Sequence, residues 1–474
     1  MARSIKDLLG STVASGVMLY IVLPNLLFFL IGKEIFIDRP LLNTDYLFLW
    51  IGSCYMSRRP TIVLFAALFD LDLILSTESI YHFSTTETIL AAREILDFNP
   101  AFFYAFACAL LLLSLAAIVM AFRHRVIRSH LSKQGQIVVG IAALALSGVS
   151  VARSVESVDS IAKITFGANP ILGSGIVETA FSSFDLSAES HQSQKVVPVP
   201  GTATSKMLDE MSTKRDPYNV AVILVESQGL LKNRNDMRRV LAPLIDKAMR
   251  SRYTVNVGAV RFFGATMFGE LRTLCRIYVP HVTPGNLPRL DQCLPNELGR
   301  RGYETVSYHG FNRWFYEREH WYPAVGFQRS YFAEDLVRFA PPSATCGGGF
   351  QKLCDLWIAD QVEKELLTSV TTRKLVYWLT VNSHYPIDSS LAKKSDFNCA
   401  STDTLRDESG SCDLARIHFQ LYTRIAQMAL NPKLQPTRFV IVGDHSPPFP
   451  TLSERELYDE ERVPYVDLIP ISTQ

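Results

Sequence analysis

Residues 439–445 read Phe-Val-Ile-Val-Gly-Asp-His. Four apolar residues in a row predict a buried strand. Gly443 frees the backbone, and Asp444 and His445 follow at once. Two adjacent metal-capable side chains at a strand end belong at the carboxyl edge of a sheet, where open α/β sheets bind ligands. Three other apolar runs end in a polar group able to do chemistry. Asn219–Val225 leads to Glu226, Glu304–Tyr308 leads to His309, and Leu375–Val381 leads shortly to His384. The four strand ends are expected to form one site.

Around these runs, strands and helical patterns alternate. Thr254–Val260 reads as a further strand. Asn235–Arg250, Pro295–Arg301, Leu356–Val370 and Ala415–Leu430 carry helical periodicity. Such alternation predicts an α/β fold with a mostly parallel central sheet and helices on both faces. Val463–Ile469 is expected as a late strand that closes the sheet.

At 474 residues the chain is too long for one ordinary core. Its net charge of +1 argues against a nucleic-acid partner. Apolar residues concentrate in the first third. Apolar runs at Thr12–Ile31, Tyr46–Met56, Thr61–Ser76, Pro100–Phe122 and Ile137–Ala152 predict five membrane spans. Asp70 and Asp72 fall inside the third, either near its outer end or facing a polar cavity. Arg3 and Lys6, Arg58 and Arg59, and the basic loop Arg123–Lys133 all fall on one side, the cytoplasmic one by charge bias. Everything after Arg153 is then outside.

Residues 1–153 are thus expected as a transmembrane domain and 154–216 as a membrane-surface connector and polar linker. Residues 217–474 are expected as the soluble domain. Six of the eight cysteines lie in that last part: Cys275, Cys293, Cys346, Cys354, Cys399 and Cys412. No CxxC pair occurs, so a zinc ribbon is not indicated. Pairing in sequence order would close three short loops in an oxidising compartment.

Glu226, Asp444 and His445 make a mixed oxygen and nitrogen set suited to Zn²⁺ or Mn²⁺. Thr266 lies in Gly264-Ala-Thr-Met-Phe-Gly-Glu270, just before a helical stretch. A threonine there can be an N-cap. It can also be a nucleophile, if a metal lowers the pKa of its hydroxyl, and a helix N-terminus would favour the phosphate it attacks. His309 and His384 could steady a phosphoryl oxygen or move a proton. Arg318, near Tyr316 and Trp321, could clamp a phosphate, with Arg313 as a competitor.

Taken together, these residues resemble the membrane-bound, sulfatase-like branch of the alkaline phosphatase superfamily. That branch holds lipoteichoic acid synthase, the glucan phosphoglycerol transferases and the phosphoethanolamine transferases. The matching pieces are VILVES with Glu226, GATMFGE with Thr266, and VIVGDH with Asp444 and His445. RGYETVSYHGFNRWFYEREHWY resembles the family segment that carries the substrate-binding His309 and Arg318, with Tyr316 where the synthases have Trp. His384 matches the histidine of the family's S/N-H-x-P motif. The resemblance implies one divalent metal held by Glu226, Thr266, Asp444 and His445, with Thr266 as nucleophile. His309, His384, Arg318 and Tyr316 would face substrate.

The resemblance also implies an enzyme of the bacterial cytoplasmic membrane, multi-pass, with its catalytic domain periplasmic. Such an enzyme transfers a phospholipid headgroup, phosphoethanolamine or phosphoglycerol, to a glycan or glycolipid acceptor through a phospho-threonine. A phosphodiesterase or a sulfatase-type hydrolase is the alternative. True sulfatases mature a Cys or Ser in CxPxR or SxPxR, and Cys275-Arg-Ile-Tyr is no such motif. A single carboxylate could select the headgroup, with Glu270, Glu317 and Glu319 as candidates.

Overall fold

A computed structural model describes residues 196–471, except 212–217, 265, 280–286, 288–289, 347–351, 369–371, 386 and 450. Before 196 it describes only 22, 24–26, 45–53, 55–57, 59–69, 137, 141 and 145. The chain divides into two compact units, Met1–Ser193 and Gln194–Gln474. In the first, a helix covers Asp45–Ser53 and another covers 59–69. The Tyr46 and Phe65 rings meet at 6.1 Å between centroids. Among the described residues no helix is long and apolar enough to cross a membrane. Most of the five expected spans, with Asp70 and Asp72, lie outside the described residues.

The second unit is built on a seven-stranded sheet. Its strands are β1 (Asn219–Val225), β2 (Tyr253–Arg261), β3 (Glu304–His309), β4 (Arg329–Tyr331), β5 (Lys374–Leu379), β6 (Thr437–Gly443) and β7 (Arg462–Pro470). Their order across the sheet is β2-β7-β6-β1-β5-β3-β4. From β6 to β4 every pairing is parallel. β7 runs antiparallel to both β6 and β2. The expected closing strand is therefore inserted second from one edge, and β2 forms the edge itself. β1, β5 and β6 are buried along their whole length, as strands covered on both faces must be.

One face of the sheet packs on Asp355–Leu367 and on the long helix Gly410–Ala429, through Ile358, Val362, Leu421 and Ile425. The opposite face packs on Leu294–Arg300, Arg318–Val325 and Ala203–Met211, through Leu298, Tyr322 and Met207. That last helix corrects the expected linker. Within the stretch expected as a polar linker, Met207, Leu208 and Met211 recur at helical spacing and are buried. Val197–Pro198 also pairs with Ile277–Tyr278.

The expected helix 235–250 is three pieces, Arg234–Val240, Ala242–Ile245 and Lys247–Arg252. Pro243 starts the second piece, and the extended Asp246 caps the third by accepting from Met249 N. β4, too short to show a period, was not legible. The six cysteines pair in sequence order, Cys275–Cys293, Cys346–Cys354 and Cys399–Cys412.

Candidate active site

The registers of the parallel strands bring the functional ends to one edge. Gly443 of β6 stands level with Val225 of β1, and Leu379 of β5 stands level with His309 of β3. Glu226 and Asp444 therefore emerge side by side. Asp444 N donates to Val225 O at 3.1 Å, and Ser227 N donates to Asp444 Oδ1 at 2.7 Å. Ser227 takes a left-handed φ of 53°, a strained conformation for a side chain of this kind.

Gly443 has a different role from the one its sequence suggests. Its φ is not left-handed. A Cβ on it would stand 2.2 Å from Gln228 O, so the glycine is needed for close approach of two backbones. Gly269 serves the same end from the other side. A Cβ there would lie 2.9 Å from Asp444 Cβ. Its absence lets the helix Thr266–Glu270 rest on Asp444, which carries Thr266 into the cluster. Gly264, at φ 89°, makes the turn into that helix.

Thr266 Oγ1 donates to Glu226 Oε2 at 3.1 Å and lies 3.5 Å from His445 Nε2. His445 Nε2 is 3.4 Å from Glu226 Oε1 and 3.3 Å from Asp444 Oδ2. Ligand atoms of Glu226, Asp444 and His445 all fall within 4.8 Å of one another. His445 Nδ1 faces Ser446 O at 2.9 Å. A carbonyl only accepts, so Nδ1 carries a proton and Nε2 is the nitrogen that faces the cluster.

Enzymes of the sulfatase family use a metal ion, and this cluster fits one. Asp444 is fully buried, and its Oδ2 has no hydrogen-bond partner. Burial raises its pKa, and Glu226 beside it raises it further. Burial opposes a charge on His445 too, but Asp444 and Glu226 override it and push that imidazole up to about 9. Two buried carboxylates that keep a proton on His445 make a site short of positive charge; a divalent cation would displace that proton and be held by Nε2.

A second group adjoins the first. His309 Nδ1 lies 3.1 Å from Leu379 O, so its proton is there and Nε2 is an acceptor, 3.5 Å from Arg318 Nη1. Arg318 is 1% exposed. Tyr316 and Glu317 both take left-handed φ values, 54° and 49°, to aim it. Its guanidinium lies 5.1 Å from the Tyr316 ring centroid. It donates from Nε and Nη2 to Glu270 Oε2 at 3.1 and 2.9 Å. Burial opposes the Arg318 charge, but Glu270 more than compensates and holds its pKa above the usual value.

This pairing revises two expectations. Glu270 is fully buried and also accepts from Tyr322 OH at 2.5 Å and Tyr377 OH at 3.3 Å. It is committed to Arg318 and is not a carboxylate open to a headgroup amine. Arg313 pairs with Asp335 at 2.6 Å, whereas Arg318 is the arginine that lies beside His309. His384 follows Ser383, whose Oγ donates to Glu226 O at 2.6 Å, so its loop is fastened to the metal-side cluster. The helix expected to favour phosphate by its N-terminus has only five α-helical residues before a π turn at Leu271–Cys275.

Two supporting residues carried no sequence signal. Arg272, 1% exposed, donates to Gly443 O at 2.6 Å and Asp444 O at 3.1 Å, and burial brings its pKa down to about 10. It clamps the end of β6. His418, on the helix Gly410–Ala429, lies 3.1 Å from Glu226 O, and burial pulls it down to about 4. It therefore donates as a neutral imidazole and fixes the Glu226 backbone together with Ser383.

A mostly parallel sheet gathers a carboxylate–histidine cluster, a threonine hydroxyl and a buried arginine at one edge, an arrangement that fits an α/β enzyme using a metal ion. The chain belongs to the sulfatase family, whose model, described as Sulfatase, matches residues 184–466. No curated protein matches the chain by sequence. Similar solved structures include the lipoteichoic acid synthase LtaP from Listeria monocytogenes. It is 15% identical, with a TM-score of 0.38, over 54% of this chain and 66% of that one. The chain thus spans just under two thirds of that relative's length. The Streptococcus pyogenes phosphoglycerol transferase GacH, in complex with sn-glycerol-1-phosphate, is 15% identical, with a TM-score of 0.37, over 56% and 73%. The C-terminal periplasmic domain of EcEptC from Escherichia coli, in complex with Zn, is 12% identical, with a TM-score of 0.37, over 54% and 74%.

Proposed function

We propose that the protein is a metal-dependent transferase that moves a phospholipid headgroup, phosphoethanolamine or phosphoglycerol, to a glycan or glycolipid. The observation that carries this reading is the Thr266 hydroxyl, held within 3.5 Å of both Glu226 and His445. A threonine cannot be matured as the Cys or Ser of a sulfatase is, which favours phosphoryl over sulfuryl transfer. Glu226, Thr266, Asp444 and His445 would hold one divalent ion, Zn²⁺ or Mn²⁺. When bound, the ion makes the threonine hydroxyl acidic and screens the charge of the phosphate.

In this reading Thr266 Oγ1 attacks phosphorus, the headgroup stays on threonine, and diacylglycerol leaves with a proton. Arg318 holds the non-bridging oxygens as their charge shifts, and His309 or His384 carries the proton. The acceptor hydroxyl then takes the group. Residues 1–153 would be five spans in a bacterial cytoplasmic membrane, 154–193 would lead out of it, and the unit 194–474 would work on the periplasmic side. The long apolar runs and the three extracytoplasmic-type disulfides support that placement.

Phospholipid without acceptor tests the reading. A stoichiometric burst of diacylglycerol from the wild type and none from Thr266→Ala is expected. Equal release by both proteins would remove Thr266 from the reaction.

A further inference from the structure

Ser227 follows Glu226 directly, and its side chain plays no part in the chemistry above. The residue is buried and takes a φ of 53°. That left-handed conformation strains any residue with a Cβ, whereas a glycine would take it freely. Such strain persists only where the surroundings over-determine it. Here two hydrogen bonds do so. Ser227 N donates to Asp444 Oδ1 at 2.7 Å, and Ser227 Oγ donates to Glu226 Oε1 at 2.9 Å. One residue thus reaches both buried carboxylates of the cluster. The first bond needs no side chain, so it would be met equally by glycine. The second needs the hydroxyl, and it is what the strained serine adds.

The chemistry of that bond suits a cation site. A hydroxyl is a neutral donor, so it orients the Glu226 carboxylate without cancelling its charge. A lysine or arginine in its place would orient the group and neutralise it. The other oxygen, Glu226 Oε2, accepts from Thr266 Oγ1 at 3.1 Å. Of these two hydroxyls, Thr266 must give up its proton when it attacks, whereas Ser227 keeps its own. The backbone of Glu226 is held separately, its N donating to Thr380 Oγ1 at 2.9 Å and its O accepting from Ser383 Oγ at 2.6 Å. Those bonds fix the start of the side chain, and Ser227 acts on its end.

We propose that Ser227 is a positioning residue of the metal centre, whose hydroxyl holds the Glu226 carboxylate ready for the ion. The inference rests on the reading of Glu226, Thr266, Asp444 and His445 as metal ligands. A carboxylate held in place before the ion arrives loses less freedom on binding, so the contribution of Ser227 belongs in metal affinity.

The full-length enzyme is stripped of metal and titrated with Zn²⁺, and in parallel with Mn²⁺, against a competing chelating dye. Thermal unfolding of the stripped proteins is recorded alongside. Ser227→Ala and Ser227→Gly both remove the hydroxyl and keep the backbone N–H that serves Asp444. Only the glycine also relieves the left-handed strain, so stripped Ser227→Gly should unfold at a higher temperature than stripped Ser227→Ala. Both variants are expected to bind the ion about 10–100-fold more weakly than the wild type, and to the same extent. Equal loss of affinity at unequal stability separates positioning of the ligand from support of the fold. Wild-type affinity in Ser227→Gly would overturn the proposal, whether or not Ser227→Ala is impaired, because the backbone and not the hydroxyl would then be what matters. A wild type that binds neither ion would instead overturn the metal-centre reading.

Discussion

Replacing Glu270 should reveal what holds the arginine of the site in place. Glu270 and Arg318 have side chains 0% and 2% exposed and are joined at 2.9 Å. Glu270→Ala would leave a buried guanidinium without its counter-charge and the Tyr322 and Tyr377 hydroxyls without their acceptor. Breaking one partner out of a buried pair costs about 3–5 kcal/mol. At about 2–4 °C per kcal/mol for a large domain, the melting temperature should fall by at least roughly 6 °C. Glu270→Gln keeps the shape and an oxygen for the phenols but also removes the counter-charge, so it should be destabilised as well, by less than Glu270→Ala.

The assay is a double-mutant cycle with Arg318→Met on the full-length enzyme, read by thermal unfolding. The pair should couple by more than about 2 kcal/mol, with the double variant more stable than Glu270→Ala alone. Additivity to within about 0.5 kcal/mol would refute the role of Glu270 as the anchor of Arg318.

Other substitutions probe the frame of the site. Gly443→Ala places a Cβ 2.2 Å from a backbone oxygen that cannot swing aside. It should cost about 1–3 kcal/mol or more, and metal content of the purified protein should fall as Asp444 is displaced. Full metal occupancy would refute this. Glu365 accepts from Lys374 and, at 2.9 Å, from Arg329. Burial pushes its pKa up, but these partners outweigh burial and hold it below the usual value. A depressed carboxylate stabilises the fold above its unfolded pKa of about 4.3 and loses that contribution as pH falls through the folded value. Glu365→Gln should therefore flatten the acid limb of stability measured below about pH 4.3, while an unchanged limb would contradict the assignment.

The strand ends were legible because a run such as Val222-Ile-Leu-Val225, followed by Glu226, carries both its burial and its chemistry in adjacent letters. Apolar continuity identified the parallel core strands, and turn-length gaps set their sequence. The order of β7 and β2 was not legible, since strand neighbours are decided by packing across the sheet. Glu270 was misjudged for a related reason. A carboxylate four residues after Thr266 reads as available until Arg318, 48 residues on, is seen to occupy it. Arg272 and His418 act on backbone carbonyls, and a carbonyl leaves no trace in the sequence. Gly443 was noticed as flexible, when the cause is the Gln228 carbonyl pressed against it.

Peptide-level mass spectrometry of the full-length, metal-loaded enzyme, quenched after exposure to phospholipid alone, tests the central claim most directly. The account predicts a phosphoethanolamine or phosphoglycerol adduct on the peptide carrying Thr266, absent from Thr266→Ala. Released headgroup with Thr266 unmodified throughout the time course, or the same adduct on another residue, would contradict it.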